Sequence, residues 1–131
     1  MNLRKLTVAA MSIVALASSG LAAAADPPRL EIGPPVVKVS KGKLVLLAKC
    51  IGEAHCQSVL TARIDVRNGG LGGQIFKVEP GQTEKLVFVL EPNVRRWLKT
   101  HRRSRLVISA RTSDENYDVV WRGTFRLTLL A

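Results

Sequence analysis

Hydrophobic and polar residues alternate along most of the chain from Val36 onward, and turn-forming residues separate the alternating runs. A period of two indicates strands with one buried and one exposed face. About seven short strands at this spacing favour an all-β fold of the sandwich type. The predicted strands cover 36–39, 43–50, 56–67, 74–79, 83–90, 105–112 and a last run from 117 or 119 to 130.

The alternation also predicts which residues face the core. The glycine-rich stretch 68–73 is expected to be a flexible turn, because Gly and Asn tolerate positive φ. Gly123 lies in the core row of the last strand and is expected to mark a bulge or a bend. The expected inward positions include Leu44, Leu46, Leu60, Ile64, Val66, Phe76, Val78, Leu86, Phe88, Leu106, Ile108, Val119, Trp121, Phe125, Leu127 and Leu129.

One segment departs from the period of two. Val94, Trp97 and Leu98 are spaced i, i+3, i+4, which predicts a short helix over 92–99 packed on the core through Trp97. This helix falls between the fifth and sixth predicted strands.

The first 25 residues have the three parts of a secretory signal peptide. A basic start is followed by an apolar run over 6–17 and by small residues that end at Ala25, the expected cleavage point. The alternative is an uncleaved membrane anchor, but about 12 apolar residues fall short of the roughly 20 that a spanning helix needs. We therefore expect a secreted, extracytoplasmic chain with no transmembrane anchor after cleavage. It would have a proline-rich extended segment over 26–35 and a folded domain over 36–131.

Cys50 and Cys56 are the only cysteines of the chain. In an exported protein an even number of cysteines predicts a disulfide, which here would contribute about 2 kcal/mol on the chain-entropy model. The alternative is a metal site formed by both cysteines and His55, although this set lacks an obvious fourth ligand.

The order of these features resembles a known kind of module. Cys50-x5-Cys56, the glycine-rich turn, the run 87–90, the basic helix and the strand 105–111 resemble the small Ig-like modules of exported proteins from high-GC Gram-positive bacteria. The resemblance covers nearly all of the chain after residue 25. It implies an Ig-like β-sandwich that serves as a spacer, accessory or surface-binding unit, with no established activity. It carries over no functional residue.

Residue patterns of common catalytic and metal sites do not occur in the chain. There is no glycine-rich phosphate loop and no histidine cluster. His101 lies among cations and is expected to be a solvated loop residue. Asp114, Glu115 and Asp118 form an acidic turn that is either solvated or, alternatively, a calcium site. We expect no enzymatic activity, no cofactor and no metal.

Arginine dominates the charged residues of the predicted sheet surface. The formal charge is +10, or +8 once Arg4 and Lys5 are removed with the signal peptide. In an Ig-like sandwich the third, sixth and seventh strands share one sheet, so their outward rows would form one basic surface. These candidate anion-binding residues are Arg63, Arg67, Arg105, Arg111, Arg122 and Arg126, with a second cluster at Arg95 and Arg96 on the helix.

Two interpretations of this basic surface remain open. Guanidinium groups suit phosphate and carboxylate, so an anionic cell-envelope polymer or a surface protein could dock there. Alternatively, the arginines only keep the sheet soluble and prevent edge pairing. Nucleic acid is not expected as a partner, because the outward rows offer no aromatic residues for base stacking.

The sequence thus favours an exported, non-enzymatic accessory or binding module. The alternative is a structural or assembly protein that pairs through a strand edge, and the third hypothesis is a secreted enzyme of unrecognised type. The ligand and the oligomeric state stay open.

Overall fold

Alternating apolar residues form the strands of the protein, as the period of two predicts. The computed structural model describes residues 27–66 and 69–131, so the expected signal peptide, its cleavage point and Arg67 lie outside the described residues. The described part is mostly β and has eight strands and one helix. In chain order these are β1 (Arg29–Gly33), β2 (Val36–Lys38), β3 (Lys43–Ile51), β4 (Cys56–Ile64), β5 (Gly70–Val78), β6 (Thr83–Val89), α1 (Pro92–Thr100), β7 (Arg103–Ser113) and β8 (Val119–Leu130).

The strands form two sheets. One has three antiparallel strands in the order β1-β3-β6, and the other has five in the order β2-β8-β7-β4-β5. Neighbours in the larger sheet are antiparallel, except that β2 runs parallel to β8. The third, sixth and seventh predicted strands are β4, β7 and β8, and they are neighbours in one sheet as expected.

Both sheets contribute apolar side chains to a single core. Leu44 and Leu46 from β3 and Leu60, Leu106 and Ile108 from the five-stranded sheet have no exposed surface. Each buried side chain of this size stabilises the fold by roughly 1.5–3 kcal/mol. The inward rows of these strands are therefore confirmed.

A disulfide joins the two sheets at a corner. Cys50 and Cys56 are bonded to each other, with their Cα atoms 5.7 Å apart, and both are fully buried. Because β3 belongs to one sheet and β4 to the other, the bond fixes the point where the chain crosses between them. The predicted disulfide is confirmed, and the alternative metal site with His55 is wrong because neither sulfur is free.

The eighth strand, β1, was not predicted. The segment 26–35 is extended as expected, but Arg29–Gly33 pairs along its whole length with β3. Leu30 is buried in the core and anchors this edge strand. The folded part of the chain therefore begins before residue 36.

The turn between β4 and β5 differs from the prediction. Strand β4 ends at Ile64 because Val66 N–H donates to the Ile64 carbonyl and Ile64 N–H donates to the Gly69 carbonyl. Val66 is consequently exposed and does not face the core. Strand β5 begins at Gly70, so most of the glycine-rich stretch pairs with β4 as strand.

Strand β8 follows a regular register around Gly123, which pairs with Ala110. A side chain at Gly123 would begin 2.5 Å from the Trp121 indole, so the glycine leaves room for that ring. The expected bulge at Gly123 is wrong, because the register shift lies between Thr112 and Ser113. Val119 is exposed, which corrects its expected core position.

Helix α1 confirms the i, i+3, i+4 pattern and joins the two sheets between β6 and β7. Val94 and Leu98 are buried, and the half-buried Trp97 packs against the core. None of the helices formed by the described residues has the length and apolarity required to cross a membrane.

Loss of the disulfide should lower stability measurably. Replacing Cys50 and Cys56 together with Ala is expected to reduce the free energy of unfolding by about 2 kcal/mol, because the unfolded chain regains loop entropy. Urea denaturation followed by circular dichroism would measure the change. The unaltered chain under reducing conditions is the matched comparison, and identical midpoints before and after reduction would contradict the prediction.

A buried hydroxyl pair offers a second test of the packing. Ser58 and Thr112 are both buried, and their hydroxyl oxygens lie 3.0 Å apart on neighbouring strands. Thr112→Val should cost about 1–3 kcal/mol of unfolding free energy, because it leaves the Ser58 hydroxyl buried without this partner. The double variant Ser58→Ala/Thr112→Val should cost less than the sum of the two single variants. Strict additivity in denaturant titrations would show that the hydroxyls do not interact.

Candidate functional site

The outer surface of the five-stranded sheet holds the predicted arginines in adjacent rows. Because the inward residues of β4, β7 and β8 pack in the core, their alternate neighbours must face solvent. Arg67 lies outside the described residues. We call the remaining set the arginine face: Arg63 on β4, Arg105 and Arg111 on β7, and Arg122 and Arg126 on β8, all exposed.

Two of these arginines are placed directly opposite each other. Arg111 pairs in register with Arg122 across β7 and β8. Like charges in such cross-strand pairs are destabilising, by an amount of up to about 1 kcal/mol. Every outward position of β4, β7 and β8 is neutral or basic, so no carboxylate in these rows offsets the repulsion.

A row of hydroxyl groups lies next to this arginine pair. Thr61, Ser109 and Thr124 are in register across the three strands and are all exposed. The next row contains Arg63 and Arg126 with Val107 between them. Since this row is four residues along β7 from Arg111, the two arginine rows are about 13 Å apart.

Val107 is the one apolar side chain on this face that is buried, with 4% of its surface exposed. Its register neighbours are Arg63 and Arg126, whose long aliphatic stems can cover a small side chain while their charged ends stay in water. The two arginines thus flank, in register, a valine that is shielded from water. The sequence pattern did not predict the burial of Val107, because alternation places this residue only on the outward side of the strand.

One acid contacts the arginine face. Arg63 Nη1 lies 3.2 Å from Asp65 Oδ1, in the only ion pair found within 27–66 and 69–131. Both side chains are about half exposed, and a solvated pair of this kind contributes little stability. The other four arginines of the face thus have no acidic partner among the described residues.

A shallow depression of about 510 Å³ lies at one end of the arginine face. It is lined by Arg105 and Arg126, by Ser104 and Thr128, and by Arg103 at the start of β7. Three guanidinium groups and two hydroxyl groups thus border one concave part of the surface.

The two helix arginines of the predicted second cluster lie in different surroundings. A depression of about 400 Å³ is bordered by Arg95, Lys99 and Arg102. Arg95 packs over the turn at Gly42, where a side chain would begin 3.0 Å from Arg95 Cδ. Arg96 is exposed on the helix and does not line this depression, so the structure does not bring the two helix arginines onto one site.

His101 has a structural role at the end of α1. Its ring stacks on Trp97 with ring centroids 3.9 Å apart, and Nδ1 lies 3.0 Å from the Trp97 carbonyl oxygen. A proton on Nδ1 would donate to that helix-terminal carbonyl. The prediction of a solvated loop histidine is therefore incomplete. The ring is exposed, but it also contacts Trp97 in the last turn of α1.

The acidic turn before β8 is organised by its own hydrogen bonds. Asp114 Oδ1 accepts the backbone N–H groups of Asn116 at 2.8 Å and Asp118 at 3.0 Å. In the part of the chain that the structure describes, no three His, Cys, Asp or Glu side chains are grouped so that they could hold a metal ion. The Asp114 carboxylate is thus engaged with the backbone of its own loop.

Comparisons with known proteins give no independent assignment. No protein-family model matches the chain, and no curated protein matches it either.

Proposed function

We propose that the chain is an exported, non-enzymatic binding module that docks an anionic polymer of the cell envelope on its arginine face. The observation that carries this proposal is the direct pairing of Arg111 with Arg122 in rows that contain no acid. Such a pair is unfavourable in the free protein and becomes favourable when an anion lies over it.

The chemistry of the face suits phosphate or carboxylate groups linked by a hydroxylated chain. Planar guanidinium groups can donate two parallel hydrogen bonds to either anion. The hydroxyl groups of Thr61, Ser109 and Thr124 lie between the two arginine rows and can bond to a polar backbone. Because the rows are about 13 Å apart, a ligand that engages both must be extended. These features favour a polymer over a small molecule.

The strand order supports the Ig-like part of the proposal. In Ig-like sandwiches strands A, B and E share one sheet and strands C, F and G share the other. Strands β1, β3 and β6 match the first group, and β4, β7 and β8 match the second. The chain departs from antibody domains in its disulfide, which joins the ends of β3 and β4, whereas the antibody bond links strands B and F.

The proposal also includes export of the chain and a role without catalytic activity. A disulfide persists in oxidising compartments, which agrees with the signal peptide inferred from residues 1–25. The histidine and the acidic turn that were candidates for chemistry have structural contacts: His101 stacks on Trp97, and Asp114 bonds to its own loop. A binding role therefore accounts for more of the surface than an enzymatic one.

Charge reversal on the arginine face should remove polymer binding. In Arg63→Glu/Arg111→Glu/Arg122→Glu, retention on lipid-free envelope polymer is expected to disappear, because each lost charged hydrogen bond should weaken binding by about tenfold or more. Affinity chromatography across a salt gradient would measure retention.

The matched control reverses three exposed lysines on the other sheet, in Lys43→Glu/Lys49→Glu/Lys85→Glu. This control changes the net charge by the same amount, so it should keep retention at low salt if the arginine face is the site. Equal loss in both variants would show that only the net charge matters, and the specific face would be wrong.

A second candidate function is assembly through the edge of β5. This strand is at the end of its sheet, and its Ile75 side chain is 83% exposed, which is unusual for a large aliphatic residue. An unpaired strand edge can add a strand from another chain. Strand β6 is also at the end of its sheet, but one of its backbone carbonyls already has a partner. The Gln74 side chain from β5 donates through Nε2 to the Val87 carbonyl at 2.7 Å.

Sedimentation velocity over a range of protein concentrations tests the assembly hypothesis. Pairing through β5 should give a dimer that Ile75→Lys weakens, since a lysine at an exposed edge opposes further pairing. Val36→Lys, an exposed position on the opposite edge strand β2, is the control. A concentration-independent monomer would rule out this function.

A further inference from the structure

The outer surface of the three-stranded sheet is chemically unlike the arginine face. Four aliphatic side chains are exposed there on two neighbouring strands: Val45, Leu47, Val87 and Val89. Val45 and Val87 are direct cross-strand partners, Val89 is 67% exposed and Leu47 is 44% exposed. Gly33 lies opposite Leu47 on β1 and has no side chain to cover it. The result is a contiguous apolar patch that covers part of β3 and of the edge strand β6.

Lysines frame this patch at both ends. Lys43 pairs with Val89, Lys85 pairs with Leu47, and Lys49 follows one row further on. We call these three lysines and the four aliphatic residues the lysine–aliphatic face. Glu31, opposite Lys49, is the one acid in the outward rows of β1, β3 and β6.

Charge argues against a second copy of the chain as the occupant. Stacking two such sheets face to face would bring the lysines of both copies together around an apolar centre. Desolvating like charges against each other is costly, and interfaces of this kind are disfavoured by several kcal/mol in general. Negative charge is what complements this face.

The residue types also distinguish a lipid surface from an acidic protein. Protein interfaces are enriched in aromatic residues, Met and Arg and are depleted in Lys. The lysine–aliphatic face has only small branched side chains and flexible ammonium groups, on a sheet surface. Peripheral membrane surfaces combine these elements, because lysines attract anionic headgroups while aliphatic side chains enter the headgroup boundary.

We infer that the lysine–aliphatic face docks the protein on an anionic lipid bilayer. Lys43, Lys49 and Lys85 would lie at the level of the lipid phosphates, and Leu47 and Val89 would enter the boundary with the acyl chains. The arginine face is on the other sheet and would stay free. This inference uses different residues from the proposed polymer site, and either can fail without the other.

Vesicle flotation tests the inference. Wild-type protein should bind vesicles of phosphatidylcholine with phosphatidylglycerol but not vesicles of phosphatidylcholine alone. Lys43→Gln/Lys85→Gln should lower the partition coefficient by about fivefold for each lysine. Leu47→Thr/Val89→Thr should lower it at constant charge, and Thr retains the β-propensity needed on exposed strand positions. The wild type and all variants have the same N-terminal residues and differ only at the substituted positions. A difference in vesicle binding between them therefore reports on the lysine–aliphatic face.

Matched controls come from the opposite sheet. Arg111→Gln/Arg122→Gln removes two positive charges, and Ile75→Thr removes an exposed aliphatic side chain; both should bind vesicles like the wild type. The inference is overturned if these controls lose as much binding as the test variants, or if wild-type protein ignores phosphatidylglycerol. A dimer in sedimentation that Leu47→Thr/Val89→Thr dissociates would make a second copy the occupant and also overturn it.

Discussion

The packing of β4, β7 and β8 against the opposite sheet is the constraint on which the rest of the structure depends. Leu60, Leu106 and Ile108 have no exposed surface, so the register of these strands cannot shift by one residue without turning the core outward. Their buried positions therefore fix which residues face solvent. The arginine face follows from the core: once Ile108 and Ala110 point inward, Ser109 and Arg111 must point outward. The disulfide holds the adjoining corner between the sheets.

Much of the larger sheet could be predicted from sequence because its two faces differ. Alternation in β4 and β7 is strict enough to separate core from surface, and the arginines fall on the outward positions. The helix pattern of Val94, Trp97 and Leu98 was equally clear, since a spacing of three and four residues does not fit a strand. The relation of Arg111 to Arg122 needed the structure, because cross-strand register is set by tertiary packing.

Other features could not be predicted, for identifiable physical reasons. Strand β1 has prolines on both sides and only Leu30 buried, so its sequence lacks a periodic signal. Val66 has the right parity for the core, but a local hydrogen bond ends the strand two residues earlier. The lysine–aliphatic face is marked in sequence by nearly continuous apolar runs over 44–48 and 86–90, in which both faces of a strand are hydrophobic. Such runs do not indicate which of the two hydrophobic faces of the strand is exposed to solvent.

Val107 is almost fully buried although it lies in register between the exposed residues Arg63 and Arg126, and arginine stems that cover such a residue have an entropic consequence. Stems that rest on a valine sample fewer rotamers than stems in open water. Immobilising a long side chain on association costs roughly 0.5–1.5 kcal/mol, and a side chain that is already restrained loses less. If the arginine face binds an anion as proposed, arginine stems held against Val107 would lose less freedom on association than stems in open water. In this way a small aliphatic residue with almost no exposed surface can influence how tightly the charged groups above it bind.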